Sequence, residues 1–160
     1  MPAASPSIPI RTATTPQHLA QARALFEEYA AWLAVDLCFQ GFAEELATLP
    51  GAYSPPRGML LLAGPDDSPV GCIALRPLAE SVAEVKRLYV RPAARGTGLG
   101  LRLAQTVIDG ARAIGYRTLK LDTLERMVAA RALYGRLGFR ECAPYYHNPM
   151  QGAVYLSLAL

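Results

Sequence analysis

The chain contains the stretch Arg95-Gly96-Thr97-Gly98-Leu99-Gly100, which follows an apolar run over residues 85–90. Apolar residues at helical spacing come after it, from Leu103 to Ala111. The order of strand, glycine-rich loop and helix predicts a binding site for a phosphate group. Glycines let the backbone approach a ligand closely, and the start of a helix presents unpaired N–H groups with a partial positive charge.

Two common phosphate-binding motifs do not fit the residues around Gly100. A P-loop requires Lys and then Ser or Thr after its last glycine, whereas Leu101 and Arg102 follow here. The dinucleotide fingerprint requires a third glycine at position 101. The stretch instead resembles the acyl-CoA loop Arg/Gln-x-x-Gly-x-Gly/Ala of the GCN5-related N-acetyltransferases (GNATs), which Arg95, Gly98 and Gly100 match.

A second match to this family lies downstream of the loop. Ala130, Tyr134, Gly138 and Phe139 fit the family pattern Asn-x-x-Ala-x-x-x-Tyr-x-x-x-Gly-Phe. One position departs from it, because Met127 stands where the family has Asn, and a contact made by that Asn is therefore not expected. The resemblance extends over the whole chain and implies a GNAT acyl-CoA N-acyltransferase fold of a bacterial subgroup.

Periodicity and turn signals along the chain predict an α/β protein with a mixed sheet and the order β-α-α-β-β-β-α-β-α-β-β. The predicted strands are residues 8–13, 58–63, 70–78, 81–91, 116–123, 139–146 and 153–160. The predicted helices run from Pro16 to about residue 34, over 43–49, from about 98 to near 115, and over 127–137. Residues 1–160 are predicted to form one domain, with residues 1–7 loose.

The composition agrees with a single soluble domain. Of 160 residues, 52% are hydrophobic and 18% charged, and the net charge is only +3, without a motif for nucleic-acid recognition. Three scattered cysteines without a C-x-x-C pair predict neither a disulfide framework nor a metal site. No secretory signal and no membrane-spanning run is found, which predicts a cytoplasmic protein without a membrane partner.

The family resemblance implies that acetyl-CoA is the co-substrate. Its pyrophosphate would be held by the stretch from Arg95 to Gly100, and its pantetheine arm by the backbone of Leu88, Tyr89 and Val90. In the family this strand splays away from its neighbour, so that free amides face the thioester, and the Val90 N–H is the candidate oxyanion donor. The alternative from the strand pattern alone is ordinary ladder pairing.

Two residues are candidates for proton transfer. Tyr134 occupies the position of the family's general acid, and Glu84 the position where several members place a glutamate that acts as a base through water. From the pattern alone, Tyr134 could equally be a core aromatic beside Ala130. Glu84 could equally be a strand carboxylate paired with Lys86, its neighbour on the same face.

Acceptor contacts are expected from the first helix, the loop after it and the last hairpin. The candidates are Glu28, Tyr29, Trp32, Phe39, Gln40, Tyr146 and Asn148. Their aromatic bulk favours a closed pocket and direct transfer of acetyl to the amine of a small molecule. The alternatives are a non-catalytic acyl-CoA-binding module and an acetyltransferase that acts on a protein N-terminus or lysine. The apolar last strand could also pair with another copy in a homodimer.

Overall fold

The computed structural model describes residues 7–160, so the segment predicted to be loose lies outside it except for the exposed Ser7. Seven strands form one sheet in the order β1-β2-β3-β4-β5-β7-β6. The strands are β1 Ile10–Thr12, β2 Met59–Ala63, β3 Gly71–Pro77, β4 Val82–Val90, β5 Thr118–Leu124, β6 Arg140–Glu141 and β7 Ala153–Ala159. The helices are α1 Pro16–Leu33, α2 Phe42–Thr48, α3 Leu99–Ile114 and α4 Val128–Arg136, and three 3-10 turns span Cys38–Gln40, Gly51–Tyr53 and Pro92–Ala94.

The predicted order of elements is found in the structure, and local signals explain several of the boundaries. Thr15 caps α1 by accepting a hydrogen bond from the His18 N–H at 3.1 Å, and Pro16 is the first helical residue. α3 ends before Gly115, whose φ of 109° is a conformation that only glycine adopts easily.

The predicted strand over residues 139–146 is wrong for most of its length. Only Arg140–Glu141 pairs with β7, and one further ladder-like bond joins the Cys142 N–H to the Tyr155 carbonyl at 2.9 Å. The chain then leaves the sheet and the Tyr145 and Tyr146 hydroxyls bind side chains of other strands. These polar contacts between distant segments compete with strand pairing, and the sequence pattern does not show them.

Two hydrophobic cores lie on opposite faces of the sheet. On one face, α1 packs Leu25 and Phe26 against Leu60 and Leu62 of β2. On the other face, α3 and α4 cover a second core that includes Leu103, Val107, Ile73, Leu119 and Tyr134. Because successive side chains of a strand point to opposite faces, β2, β3 and β4 contribute to both cores, whereas β5 and β7 contribute only to the second.

The central strands β4 and β5 are parallel and pair over only part of their length. The paired residues are Val82 with Thr118, Ala83 with Leu119, and Glu84 with Lys120. Beyond Glu84, β4 stays paired with β3, and β5 stays paired with β7 as far as Leu124. The sheet therefore opens between residues 85–90 and residues 121–124, where the family resemblance implied a splayed strand.

A β-bulge lies in β4 beside this opening. Tyr89 pairs with Cys72 and Lys86 pairs with Ala74, so Arg87 and Leu88 together lie opposite a single residue of β3. Arg87 has a φ of 62°, which is unusual for a residue with a side chain. Its guanidinium is held by two hydrogen bonds to the Glu45 carboxylate of α2, at 2.9 and 2.8 Å.

This ion pair gives a prediction about stability. Glu45→Ala should lower the free energy of unfolding by about 3–5 kcal/mol, because it leaves a buried guanidinium without its partner. The Arg87 side chain is only 2% exposed. Urea denaturation of both the wild type and the variant measures the loss.

Glu44→Ala is the matched control, because Glu44 precedes Glu45 in the first turn of α2 and is exposed. Its free energy of unfolding should change by no more than about 0.5 kcal/mol. Equal losses in the two variants would show that the effect comes from the helix and not from the pair with Arg87.

Candidate active site

A cleft of about 600 Å³ lies where β4 and β5 separate. Of the residues predicted for cofactor binding or catalysis, those that line it are Leu88, Tyr89, Val90, Arg95, Gly96, Gly98, Leu99, Gly100 and Tyr134. Of those predicted for acceptor binding, the lining residues are Tyr29, Trp32, Phe39, Gln40 and Asn148. Glu28, Glu84, Thr97 and Tyr146 are not among its lining residues.

The glycine-rich loop forms one wall of the cleft and leads directly into α3. Gly96 and Gly98 have φ values of 78° and 80°, and a Cβ atom on either residue would meet no protein atom within 4 Å. Gly98 is the N-cap of α3 and provides no side chain to bind the first amides of the helix. The loop therefore presents open space beside unpaired N–H donors, which is the arrangement that binds an anion.

Thr97 serves the loop itself. Its hydroxyl donates to the Ala94 carbonyl at 2.7 Å. This bond orients the side chain away from the cleft and helps to fix the turn before α3.

The backbone of Val90 faces the open edge of β4. The Arg91 N–H donates to the Val70 carbonyl at 2.8 Å, on the β3 side of the strand. Since neighbouring residues of a strand direct their backbone groups to opposite edges, the N–H and carbonyl of Val90 point to the β5 side. The Arg95 side chain confirms this direction, because its Nε reaches the Val90 carbonyl at 2.9 Å.

Arg95 also packs against aromatic rings at the mouth of the cleft. Its guanidinium carbon lies 4.9 Å from the centre of the Trp32 ring and 5.8 Å from that of Tyr89. Trp32 is 46% exposed although it is the largest apolar side chain of α1. The stacked guanidinium places a positive charge between the loop and the end of α1.

Tyr134 lines the cleft from α4. It is 7% exposed, and its ring packs edge-on against Phe139 with 5.4 Å between the centroids. No hydrogen bond within residues 7–160 uses its hydroxyl, although the residue lines the cleft. Burial raises the pKa of this hydroxyl, and the nearby Tyr29 and Asp122 raise it further, so the phenol stays protonated.

Glu84 lies beneath the cleft and is fully buried. Its Oε1 accepts a hydrogen bond from Arg76 Nε at 2.7 Å and lies 3.9 Å from Lys86 Nζ. Its Oε2 accepts from the Tyr145 hydroxyl at 2.5 Å. Both oxygens are therefore occupied by neighbouring side chains, and the predicted role of Glu84 as a base stays a prediction without direct access to the cleft.

A chain of polar side chains crosses the α1 face of the opening. Lys86 Nζ donates to Gln40 Oε1 at 3.0 Å, and Gln40 Nε2 donates to the Tyr146 hydroxyl at 3.2 Å. The Tyr146 hydroxyl in turn donates to Asp122 Oδ2, and Asn148 Nδ2 donates to the same oxygen at 2.8 Å. Gln40, Lys86, Asp122 and Asn148 all line the cleft.

Asp122 was not among the residues predicted from the sequence. The alternation in β5 could have indicated it, since Lys120 and Asp122 are polar while Leu119 and Leu121 enter the α3-side core. That pattern is typical of any half-buried strand, however, and only the separation of β4 and β5 makes Asp122 a cleft residue.

Glu28, predicted for acceptor binding, is not among the lining residues and pairs with an arginine. Its carboxylate accepts two hydrogen bonds from the Arg91 guanidinium, at 3.0 and 2.7 Å, and so ties α1 to the end of β4. The Tyr146 hydroxyl binds the cleft residues Gln40 and Asp122.

The described part of the chain has neither a membrane-spanning helix nor a metal-binding cluster of side chains. No helix within residues 7–160 combines the length and the apolar character needed to cross a membrane. Over the same residues, no group of three or more His, Cys, Asp or Glu side chains is arranged to hold a metal ion.

Known proteins with similar sequences or structures agree with this geometry. An uncharacterised N-acetyltransferase of Schizosaccharomyces pombe is 38% identical over 156 residues, which are 96% of this chain and 96% of its own. An acetyltransferase crystal structure from Streptococcus agalactiae has a TM-score of 0.79 at 23% identity, over 96% of this chain and 98% of its own. The yncA structure from Salmonella typhimurium, solved with its cofactor acetyl-CoA, has a TM-score of 0.65 at 21% identity, over 96% and 94%.

The family model described as the Acetyltransferase (GNAT) family matches residues 17–139. The predicted fold and enzyme class are confirmed, whereas the bacterial subgroup stays a prediction because the first of these relatives is eukaryotic. The glycine loop, the separated central strands and these similarities together show that the chain belongs to the GNAT family of N-acetyltransferases.

Proposed function

We propose that the protein transfers acetyl from acetyl-CoA directly to the amine of a small molecule. The observation that carries this proposal is the opening between β4 and β5, which connects two different surroundings. An anion-binding loop and Tyr134 lie toward α3 and α4, while Gln40, Asp122 and aromatic side chains lie toward α1. A donor and an acceptor can therefore approach the opening from opposite faces of the sheet.

The residues present fit acetyl-CoA, which would supply an acetyl group activated as a thioester. The open space above Gly96 and Gly98 and the first amides of α3 would hold the pyrophosphate. The Val90 N–H, directed into the opening, would donate a hydrogen bond to the carbonyl oxygen as negative charge develops there. Tyr134 would supply a proton to the departing sulfur from its hydroxyl.

The acceptor side favours a small amine over a protein segment. Tyr29, Trp32 and Phe39 line this part of the cleft together with Leu33 and Leu37 of the α1 end and the segment after it. Bulky apolar side chains of this kind favour a small ligand, because they can cover most of its surface.

An assay of CoA release with a panel of small amines tests this function. The wild-type protein with acetyl-CoA should release free CoA when a suitable small primary amine is added, and the thiol is followed with a colorimetric reagent. Binding of acetyl-CoA without CoA release for every amine in the panel would instead support a module that binds acyl-CoA without turnover. CoA release with peptides alone would support a protein acceptor.

The loop gives a second prediction. Gly98→Ala should weaken acetyl-CoA binding at least about tenfold, or about 1.4 kcal/mol, because its Cβ enters the space assigned to the pyrophosphate. Isothermal titration calorimetry measures the dissociation constant. The positive φ also predicts a stability loss of about 1–2 kcal/mol for a residue with a Cβ.

Gly115→Ala is the matched control for Gly98→Ala. Gly115 caps the other end of α3, also has a positive φ, and its added Cβ would likewise meet no atom within 4 Å. Both variants should lose stability, but only Gly98→Ala should lose affinity for acetyl-CoA. Equal affinities in the two variants would contradict the proposed phosphate position.

Tyr134 gives the prediction that separates an enzyme from a binding module. Tyr134→Phe should lower kcat by about 100- to 10,000-fold, the usual contribution of a general acid, because only the hydroxyl is removed. The ring keeps its packing on Phe139. Acetyl-CoA affinity should stay close to that of the wild type, and wild-type turnover in the variant would leave Tyr134 as a core aromatic.

A further inference from the structure

Asp122 is the one carboxylate that lines the cleft among residues 7–160, and no histidine of that part of the chain lines it. An amine acceptor is largely protonated near neutral pH and must lose a proton before it can attack. We propose that Asp122 receives the ammonium group of the acceptor and removes this proton. The inference rests on the proposed function and names the group that completes it.

Hydrogen bonds leave one oxygen of Asp122 available for the acceptor. The Tyr146 hydroxyl and Asn148 Nδ2 both donate to Oδ2. Within residues 7–160, no hydrogen bond reaches Oδ1, and this oxygen is not among the buried atoms that lack a partner. Tyr146 and Asn148 are positioning residues: they fix the carboxylate through one oxygen while the other stays free.

The charges around the cleft single out the same residue. Glu28 is paired with Arg91, Glu45 with Arg87, and Glu84 with Arg76. Asp122 has no such partner within 4 Å among residues 7–160. Lys86 interacts with Asp122 only from beyond ion-pair distance. A partly buried carboxylate without a direct ion-pair partner attracts a cation, and the acceptor ammonium is the cation that the reaction brings there.

The position of Asp122 also suits the reaction. Leu119 and Leu121 enter the core beneath α3, so the alternation of β5 places Asp122 on the α1 face. Tyr134 belongs to the α3-side core and lines the cleft from there. The proposed base and the proposed acid therefore lie on opposite sides of the opening, as required when the nucleophile enters from one side and the sulfur leaves on the other.

The proton step balances without any additional reactant. The acceptor N–H bond breaks, an O–H bond forms on Asp122 Oδ1, and the electron pair stays on nitrogen. That pair forms the C–N bond to the thioester carbon while the C=O electron pair moves onto oxygen. The oxygen pair then re-forms the C=O bond as the C–S bond breaks, and the sulfur leaves with a proton from the Tyr134 hydroxyl. The second nitrogen proton restores that hydroxyl, and Asp122 returns its proton to solvent, so one proton is released for each amide formed.

Several titratable groups surround Asp122 and belong in any account of its pH dependence. They are Glu84 and Lys86 of β4, Tyr29 of α1, Tyr134 of α4, and Tyr145 and Tyr146 of the segment before β7. Burial lowers the pKa of Lys86. The Lys86 Nζ donates a hydrogen bond to Gln40 Oε1 and is therefore already engaged within the cleft. Burial and the bond to Asp122 raise the pKa of Tyr146, which keeps it a donor.

The first experiment compares wild-type protein and Asp122→Asn with the best primary alkylamine of the panel. The variant should lose about 100- to 10,000-fold in kcat and should lose the acidic limb of the pH–rate profile. Its acetyl-CoA affinity should stay within about twofold, because the loop is untouched. Glu125→Gln is the matched control, because this exposed carboxylate lies three residues further along and outside the cleft, and it should behave as wild type.

A second measurement separates proton removal by Asp122 from a structural role of this residue. Acceptors such as hydroxylamine are neutral at pH 7 and have no ammonium proton to lose. The loss of kcat in Asp122→Asn should be at least about tenfold smaller with hydroxylamine than with the alkylamine. An equal loss with both acceptors would assign Asp122 a structural role and overturn the proposal.

Tyr146→Phe tests the positioning role with a readout that simple destabilisation would not move. A hydrogen bond to a carboxylate stabilises its charged form, so removal of this bond makes the charged form of the proposed base less stable. The acidic limb of the kcat profile should therefore move to higher pH in the variant. An unmoved limb would overturn the assignment of that limb to Asp122.

The outcomes also separate this inference from the proposed function. If the wild type releases no CoA with any amine, the proposed function fails, and the inference with it. If the wild type turns over and Asp122→Asn matches it at every pH, only the assignment of Asp122 is overturned. If Glu84→Gln, folded by circular dichroism, loses the acidic limb while Asp122→Asn keeps it, Glu84 is the base acting through water.

Discussion

The structure depends on the incomplete pairing of two parallel strands. β4 and β5 bond at Val82, Ala83 and Glu84 and then separate, while each keeps its other neighbour in the sheet. Backbone groups left without a partner inside a protein are costly, so a gap of this kind persists only where a ligand or solvent can satisfy them. The Val90 N–H and carbonyl face this gap, and Arg95 already occupies the carbonyl.

The two sides of the gap differ in their charged and titratable side chains. The buried cations Lys86 and Arg87 are neighbours on β4. The bulge breaks the usual alternation of side chains between the two faces of the sheet, so side chains from the α1 face bind both cations. Fixed ion pairs neutralise the acidic groups Glu45 and Glu84. Asp122 lines the cleft and accepts both of its side-chain hydrogen bonds through Oδ2, and the protonated Tyr134 phenol belongs to the opposite face of the sheet.

The segment between β6 and β7 connects these features to the rest of the sheet. Predicted as a strand, it instead directs the Tyr145 hydroxyl to Glu84 and the Tyr146 hydroxyl to Asp122. The Tyr155 hydroxyl of β7 fixes the segment by donating a hydrogen bond to the Tyr146 carbonyl at 2.8 Å. The apolar and aromatic residues of that stretch fit a strand pattern. The two tyrosine hydroxyls bind carboxylates, however, and such hydrogen bonds stabilise an irregular path more than two further ladder bonds would.

The sequence alone determined the glycine loop, the start of α3 and the order of the elements, because glycine conformation, helix caps and hydrophobic period are properties of a few neighbouring residues. Tyr134 was found through the family pattern, and the structure places it in the cleft. Only the tertiary structure decided which carboxylate lines the cleft. Glu84 and Asp122 have similar local surroundings in adjacent strands, and their difference arises from the pairing register, which sets Glu84 opposite Lys120 and leaves Asp122 beyond the last paired residue, where the strands have separated.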